Sequence, residues 1–185
     1  ALMAQSMKLL GKMIHIETYK RIQHSLHPSQ VGWRAAHGAT DAASTLGHVI
    51  ESAARLKLSL YILYLDLRVF FPSLKRQVVF AAELLHGLPP EVVRLVAALY
   101  AEAVGQYDSK HGLSHTFDID VGALMGCILS PDRAKLVLDL AARAIAQVCS
   151  GTKVWGRVDL RRILSTLCAD DWAGTFNEEQ DLQAA

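Results

Sequence analysis

Apolar residues recur at helical spacing through the first third of the chain. Between residues 5 and 23 they stand mostly three or four positions apart, at Leu9, Leu10, Met13, Ile14 and Ile22. The turn-forming sequence LHPSQVG then interrupts the pattern, so we predict a first helix over residues 5–23. A second helix is predicted from Thr40 or Asp41, either of which can cap it, to about Leu58. One face of that helix collects Ala43, Leu46, Ile50 and Ala53.

The next stretch, LSLYILYLDL from Leu58 to Leu67, is apolar at almost every position. A continuous apolar run of this length, rich in Tyr and Leu, is typical of a strand that is covered on both faces. Near its end stands a lone acidic residue, Asp66. We therefore predict a buried strand that ends on a carboxylate.

The rest of the chain predicts further helices and two hairpins. The sequence GLPP separates two helices that we expect to pack antiparallel, because Gly suits a helix end and Pro a helix start. The predicted elements are helices over 73–86, 90–103 and 131–148, a hairpin turning at His111 and Gly112, and a strand, acidic turn and strand within 161–176. Helices combined with a few hairpin strands indicate an α+β fold.

Composition narrows the class of protein. The chain has 185 residues, of which 51% are hydrophobic and 20% charged, as in a globular domain with one sizeable core. Its longest apolar run is too short to cross a bilayer. The net charge of +1 neither requires nor excludes a polyanionic partner.

The spacing of the cysteine and histidine residues bears on the cellular compartment of the protein and on zinc binding. Cys127, Cys149 and Cys168 form no CxxC pair, which favours reduced thiols in an intracellular compartment, nuclear or cytoplasmic. The histidine pairs His24/His27 and His111/His115 lack further ligands at suitable spacing. A structural zinc site is therefore not favoured.

Two adjacent acids, Asp170 and Asp171, interrupt the apolar segment ILSTLCADDWAGTF. Removing a carboxylate from water is costly unless a cation or donor meets it, so this is either an acidic turn or a metal site. Asp66 can join the pair only if the two strands are neighbours, about 4.8 Å apart. Three such carboxylates could hold two divalent ions about 3.5–4 Å apart, and oxygen ligands favour Mg²⁺ or Mn²⁺.

Five motifs occur in an informative order. They are QVGWRAAHGATDAASTL, LYLDLRVFFPSL, GLPPEVVRLVAALY, GALMGCILSPDRAKLVLD and CADDW. In order and spacing they resemble reverse transcriptases of the non-LTR retrotransposon and group II intron type, over nearly the whole chain. The resemblance implies an RNA-directed DNA polymerase that adds dNTPs to a DNA primer on an RNA template.

The resemblance also implies an architecture. Its polymerase palm is a small antiparallel sheet backed by helices, which agrees with the predicted elements. Residues 1–58 would be partial fingers and residues 59–185 the palm, with the segment 73–120 inserted between the acidic motifs. We expect the chain to begin inside the fingers and to stop before the primer grip and thumb, as a partial polymerase, and the sequence leaves open whether it is active by itself.

Roles for individual residues follow from the resemblance alone. Asp66, Asp170 and Asp171 would be catalytic and would bind two Mg²⁺ or Mn²⁺ ions. Phe71 matches the bulky residue under the sugar of the incoming nucleotide and would exclude a 2′-hydroxyl, although Phe70 and Phe71 are also candidate core residues. The substrate-binding residues implied are Arg34, Leu67, Phe70, Phe71, Gly122, Met125 and Gly126. Gly122 and Gly126 would allow close approach of the backbone to a sugar or base, and Arg34 would contact a phosphate or form a surface salt bridge.

The sequence also departs from the family pattern. Pro72, Met125 and Cys168 stand where relatives often carry Asp, Gln and an aromatic residue. None of these changes removes a metal ligand. A second hypothesis therefore stays open, namely a catalytically inactive module of the same fold that binds nucleic acid or protein. The sequence leaves the oligomeric state open.

Overall fold

The computed structural model describes residues 5–101, 103–123, 126–155, 160–163, 165–168 and 171–184. The chain divides into two compact units, one formed by residues 1–25 and 69–134 and the other by residues 26–68 and 135–185. These units are defined by packing, so the assignment of residues 1–58 to fingers and 59–185 to palm stays a prediction.

The first unit is mainly helical. Its elements are α1 (Gln5–Ser25), α3 (Phe70–Ser73), α4 (Arg76–Leu85), α5 (Pro90–Ala101) and the first five residues of α6 (Ser130–Val148). A β-ribbon follows α5, in which β2 (Val104–Gly105) pairs with β5 (Phe117–Asp118) and β3 (Asp108–Ser109) with β4 (Gly112–Leu113). The predicted hairpin at His111 and Gly112 is confirmed by this ribbon.

The core of the first unit forms where α1 and α5 meet the segment before α6. Its buried members are Ile14, Val96, Tyr100, Cys127 and Leu129. A charged pair is buried near this core, since Arg133 Nη2 lies 2.9 Å from Glu83 Oε1 and both side chains are at most 4% exposed. The Arg133 guanidinium also lies over the Tyr100 ring, at 5.9 Å from its centroid.

The second unit contains the main β-sheet. Strands β1 (Tyr61–Asp66), β9 (Asp171–Phe176) and β8 (Ser165–Cys168) form an antiparallel sheet in the order β1-β9-β8. The remaining elements are α2 (Ala39–Leu56), residues 135–148 of α6, the paired strands β6 (Thr152–Trp155) and β7 (Leu160–Ile163), and α7 (Glu179–Ala184). Neither β6 nor α7 was predicted from the sequence, and the single strand predicted from residue 161 covers both β7 and β8.

Several predicted elements are confirmed with shifted ends. Helix α1 covers the predicted 5–23, and α2 begins just before the predicted Thr40. Gly38 occupies the N-cap position of α2, where its N–H donates to the Asp41 carboxylate at 2.8 Å. Asp41 thus stabilises the helix start from inside the first turn, and not from the cap position that we predicted.

One predicted helix start and one predicted burial are wrong. The helix predicted over 73–86 begins only at Arg76, as α4, because Leu74 and Lys75 adopt extended backbone conformations, and Ser73 is the last residue of the short helix α3. Strand β1 is not covered on both faces, since Tyr64 is 64% exposed and Leu65 42% exposed. An apolar run therefore marked a strand correctly here without marking its burial.

None of the three cysteines forms a disulfide; Cys127 and Cys149 are buried and Cys168 is half-buried. Among the described helices, none is long and apolar enough to cross a bilayer.

Candidate metal centre and nucleotide site

The last residue of β1 lies opposite the first residue of β9. In this antiparallel register Asp66 and Asp171 are Cα partners, and both are exposed. Directly opposed residues point to the same face of a sheet, with Cα atoms usually about 4.5–5.5 Å apart. The predicted meeting of the two acidic motifs on neighbouring strands is therefore present in the fold.

The β8–β9 hairpin brings the second acidic motif to this position. Cys168 pairs with Asp171, which leaves a two-residue connection of Ala169 and Asp170. Asp170 lies outside the described residues. Its predicted role as a metal ligand therefore stays a prediction.

The two described carboxylates are uncompensated within the described part of the chain. Neither Asp66 nor Asp171 forms a hydrogen bond or an ion pair there. Like charges directly opposed across two strands destabilise the pair by electrostatic repulsion. A divalent cation would remove that repulsion, and carboxylate oxygens are the ligands that Mg²⁺ and Mn²⁺ prefer.

The described residues form no cluster of three or more His, Cys, Asp or Glu side chains suited to a metal ion. The pair of Asp66 and Asp171 is thus a partial ligand set. A third carboxylate, from Asp170, would complete the predicted set.

A cleft of about 290 Å³ lies beside the carboxylates. Both acids line it, together with Ala42, Ala43 and Leu46 of α2 and with Thr166 and Trp172 of the sheet. Thr166 Oγ1 is buried and has no hydrogen-bond partner among the described residues, and Thr166 shares the face of the sheet that carries Asp66 and Asp171. Because buried polar atoms are usually satisfied, this hydroxyl could hydrogen-bond a ligand in the cleft.

Thr166 was not among the candidate residues predicted from the sequence. Thr166 carried no sequence signal, because its position in the cleft depends on how β8 packs beside α2.

Two predicted substrate residues belong to the second unit. They are Arg34 and Leu67, which directly follows β1. Arg34 Nη1 donates to the carbonyl oxygens of His27 at 3.5 Å and Gln30 at 3.3 Å, so in this structure it contacts its own loop. Leu67 is 39% exposed. A phosphate contact by Arg34 stays a prediction.

Four of the predicted substrate residues that the structure describes belong to the first unit. Phe70 is 6% exposed and is a core residue, whereas Phe71 is half-buried, with the two ring centroids 5.6 Å apart. Gly122 and Gly126 both have positive φ angles. Met125 lies outside the described residues.

The sequence analysis expected Gly122 to allow close approach by a sugar or base. In the structure its own chain makes that approach, since a Cβ on Gly122 would lie 2.7 Å from the carbonyl oxygen of Pro72. The neighbouring hydrogen bonds, from Gly122 N to Leu74 O and from Ala123 N to Phe71 O, fix the same contact. The absence of a side chain at Gly122 is thus required by internal packing.

Comparison with known proteins finds similar folds among solved structures. No protein-family model matches the sequence, and no curated protein matches it. Among solved structures, telomerase from Candida Tropicalis in complex with a TWJ fragment of telomeric RNA has a TM-score of 0.63 at 11% identity, over 93% of this chain and 29% of that chain. Telomerase from Candida albicans in complex with a TWJ fragment of telomeric RNA has a TM-score of 0.59 at 12% identity, over 97% and 31%. Apo telomerase from Candida Tropicalis truncated from its C-terminal domain has a TM-score of 0.60 at 12% identity, over 97% and 35%.

The chain thus spans about a third of the length of these telomerases. Telomerase is a reverse transcriptase, and at such low identity the similarity shows the fold alone. The predicted α+β class with a small antiparallel sheet is confirmed, and the fold resembles part of telomerase.

Proposed function

We propose that this chain is the palm-containing part of an RNA-directed DNA polymerase and transfers nucleotides from dNTPs to a primer 3′-hydroxyl. The observation that carries the proposal is the opposition of Asp66 and Asp171 across β1 and β9. The telomerase-like fold supports it independently of sequence identity.

Asp66, Asp170 and Asp171 would hold two Mg²⁺ or Mn²⁺ ions, which supply activation of the primer hydroxyl and neutralisation of the pyrophosphate leaving group. The exposed, uncompensated pair of Asp66 and Asp171 fits such ions. The cleft beside the pair offers Thr166 Oγ1 as a hydrogen-bonding group for the nucleic acid or the nucleotide.

The partners that we infer are an RNA template, a DNA primer and dNTPs. Two of the similar telomerase structures were solved with a fragment of telomeric RNA. Phe71 is half-buried, so part of its ring is accessible to a nucleotide sugar. An aromatic ring in contact with the sugar would exclude a 2′-hydroxyl and so favour dNTPs.

The proposal is tested with the 185-residue protein and three variants, Asp66→Asn, Asp171→Asn and the control Asp108→Asn. Asp108 is an exposed acid on β3 whose cross-strand partner is Leu113. Calorimetric titration with Mn²⁺ should show binding by the wild type and by Asp108→Asn, and strongly reduced binding by the other two. Primer extension on an RNA template should follow the same order.

Two outcomes would count against a polymerase, and the second would favour a catalytically inactive binding module. Mn²⁺ binding that is unchanged in Asp66→Asn and Asp171→Asn would refute the metal site. Binding of primer–template that is indifferent to Mn²⁺, with no extension, would identify a catalytically inactive binding module of the same fold.

A further inference from the structure

Helix α6 carries two charged side chains that are wholly buried on successive turns, Lys135 and Asp139. Lys135 Nζ donates to the carbonyl oxygen of Trp33 at 3.1 Å. Asp139 Oδ1 accepts from the backbone N–H of His27 at 2.5 Å. These contacts fasten the two ends of residues 27–33, which we call the 27–33 segment, to one helix.

The middle of the 27–33 segment lies along the edge of β8 that β9 does not occupy. Gln30 forms a parallel bridge with Leu167. Leu167 N–H donates to the carbonyl oxygen of Ser29 at 2.9 Å, and Val31 N–H donates to the carbonyl oxygen of Leu167 at 2.9 Å. The 27–33 segment thus covers the outer edge of β8 as an extra, very short strand would.

The conformation of the segment is costly. Trp33 has a φ of 49°, in the left-handed region that residues other than glycine rarely adopt. Such residues cost about 1–3 kcal/mol each and persist where the surroundings hold them. A buried Lys adds a further desolvation cost. The hydrogen bonds to Lys135, Asp139 and Leu167 oppose these costs and hold the 27–33 segment in one place against β8.

Strand β8 connects the segment to the candidate metal site, because its last residue, Cys168, pairs with Asp171. We propose that Lys135 and Asp139 are positioning residues for Asp171, acting through the 27–33 segment and β8; this inference rests on the proposed function. They touch neither Asp66 nor Asp171, so their effect is on the placement of the metal ligands.

The test compares Lys135→Met with Lys153→Met in the 185-residue protein. Met matches the length of Lys but cannot donate to Trp33, and Lys153 is an exposed lysine on β6 of the same unit. Residues that orient metal ligands usually change metal affinity by 10–100-fold, so Lys135→Met should weaken Mn²⁺ binding by about 10-fold or more. Lys153→Met should leave it unchanged.

Amide hydrogen exchange supplies a readout that does not depend on metal. Release of the 27–33 segment should speed exchange at the Leu167 and Val31 amides in Lys135→Met by about 10-fold or more, while the amides of β1 keep their protection. Loss of protection throughout the sheet would mean general unfolding. Asp139→Asn keeps an acceptor oxygen for His27 but removes the buried charge, which also pairs with Arg143 Nε at 2.6 Å. The weaker acceptor should give the same two changes as Lys135→Met to a smaller extent.

Faster exchange at Leu167 together with weaker Mn²⁺ binding supports the inference. Unchanged exchange, or faster exchange with unchanged Mn²⁺ affinity, overturns it. A wild-type protein that binds no Mn²⁺ at all refutes the proposed function instead, and the two failures are therefore distinguishable.

Discussion

Asp66 and Asp171 are paired directly across the β1–β9 ladder, and neither has a partner of opposite charge within the described residues. Opposed like charges cost about 0.2–1 kcal/mol in a sheet. Without divalent metal, Asp66→Asn should therefore raise the melting temperature, by about 1–3 °C for a chain of this size. Differential scanning calorimetry at low ionic strength measures the shift.

Added Mn²⁺ should reverse the order of the melting temperatures of the wild type and Asp66→Asn, because it stabilises only a protein that binds it. The wild type should gain stability with Mn²⁺ concentration, whereas Asp66→Asn should not. Asp108→Asn serves as the control, since Leu113 and not an acid lies opposite Asp108. A melting temperature that rises equally with Mn²⁺ in the wild type and Asp66→Asn would contradict the assignment.

Phe70 and Phe71 give a second prediction, because they differ in burial although they are neighbours in the chain. Phe71→Val should raise the incorporation of rNTPs relative to dNTPs, since a smaller side chain leaves room for a 2′-hydroxyl. Phe70→Val should leave that ratio unchanged and instead lower stability, because Phe70 is a core residue at 6% exposure. Competition between a dNTP and the matching rNTP in a primer-extension assay measures the ratio. Equal ratios in all three proteins would show that Phe71 has no part in sugar selection.

The buried pair of Glu83 and Arg133 gives a third prediction. Removing one partner leaves a buried charge uncompensated, so Glu83→Leu alone should cost about 3–5 kcal/mol of unfolding free energy. Each side chain leaves one buried polar atom unsatisfied, Glu83 Oε2 and Arg133 Nε. Replacing both residues, by Glu83→Leu with Arg133→Met, should therefore be nearly neutral or stabilising. Urea unfolding of the two single variants and the double variant measures the coupling.

This pair also predicts a pH dependence. Burial raises the pKa of Glu83 above its usual value, and the charge and hydrogen bond of Arg133 only partly oppose that shift. Between the usual pKa and the raised one, the folded state binds more protons than the unfolded state. The free energy of unfolding should accordingly fall as pH rises above about 4.3, by a contribution that the double variant lacks. If the free energy of unfolding changes with pH in the same way in the wild type and in the double variant, this prediction is wrong.

The sequence predicted the candidate metal pair better than the burial around it. Asp66 and Asp171 were predictable because strand ends and hairpin turns are local features, and two acidic strand ends meet whenever the strands pair. The exposure of Tyr64 and Leu65 was not predictable from an apolar run, since periodicity does not reveal which face a neighbouring element leaves open.

Long-range packing accounts for the other surprises. Lys135 is buried because the Trp33 carbonyl lies beside it, a contact across 102 positions of sequence. Gly122 was expected to face a ligand, yet Pro72 occupies the space beside it. Strands β6 and β7 are four residues each and pair mainly with one another, and so short a pair gives little periodic signal.

Two glycines in different settings give the last prediction. Gly122 has a φ of 91°, and a Cβ there would lie 2.7 Å from Pro72 O and 2.8 Å from Pro72 Cα, so both the backbone angle and the space oppose a side chain. Gly122→Ala should destabilise the protein by about 2 kcal/mol or more. Gly47, inside α2, has no atom within 4 Å of a Cβ, and Gly47→Ala should stabilise it by about 1 kcal/mol through helix propensity. Thermal or urea unfolding checks both, and a Gly122→Ala variant as stable as the wild type would show that Pro72 does not constrain this turn.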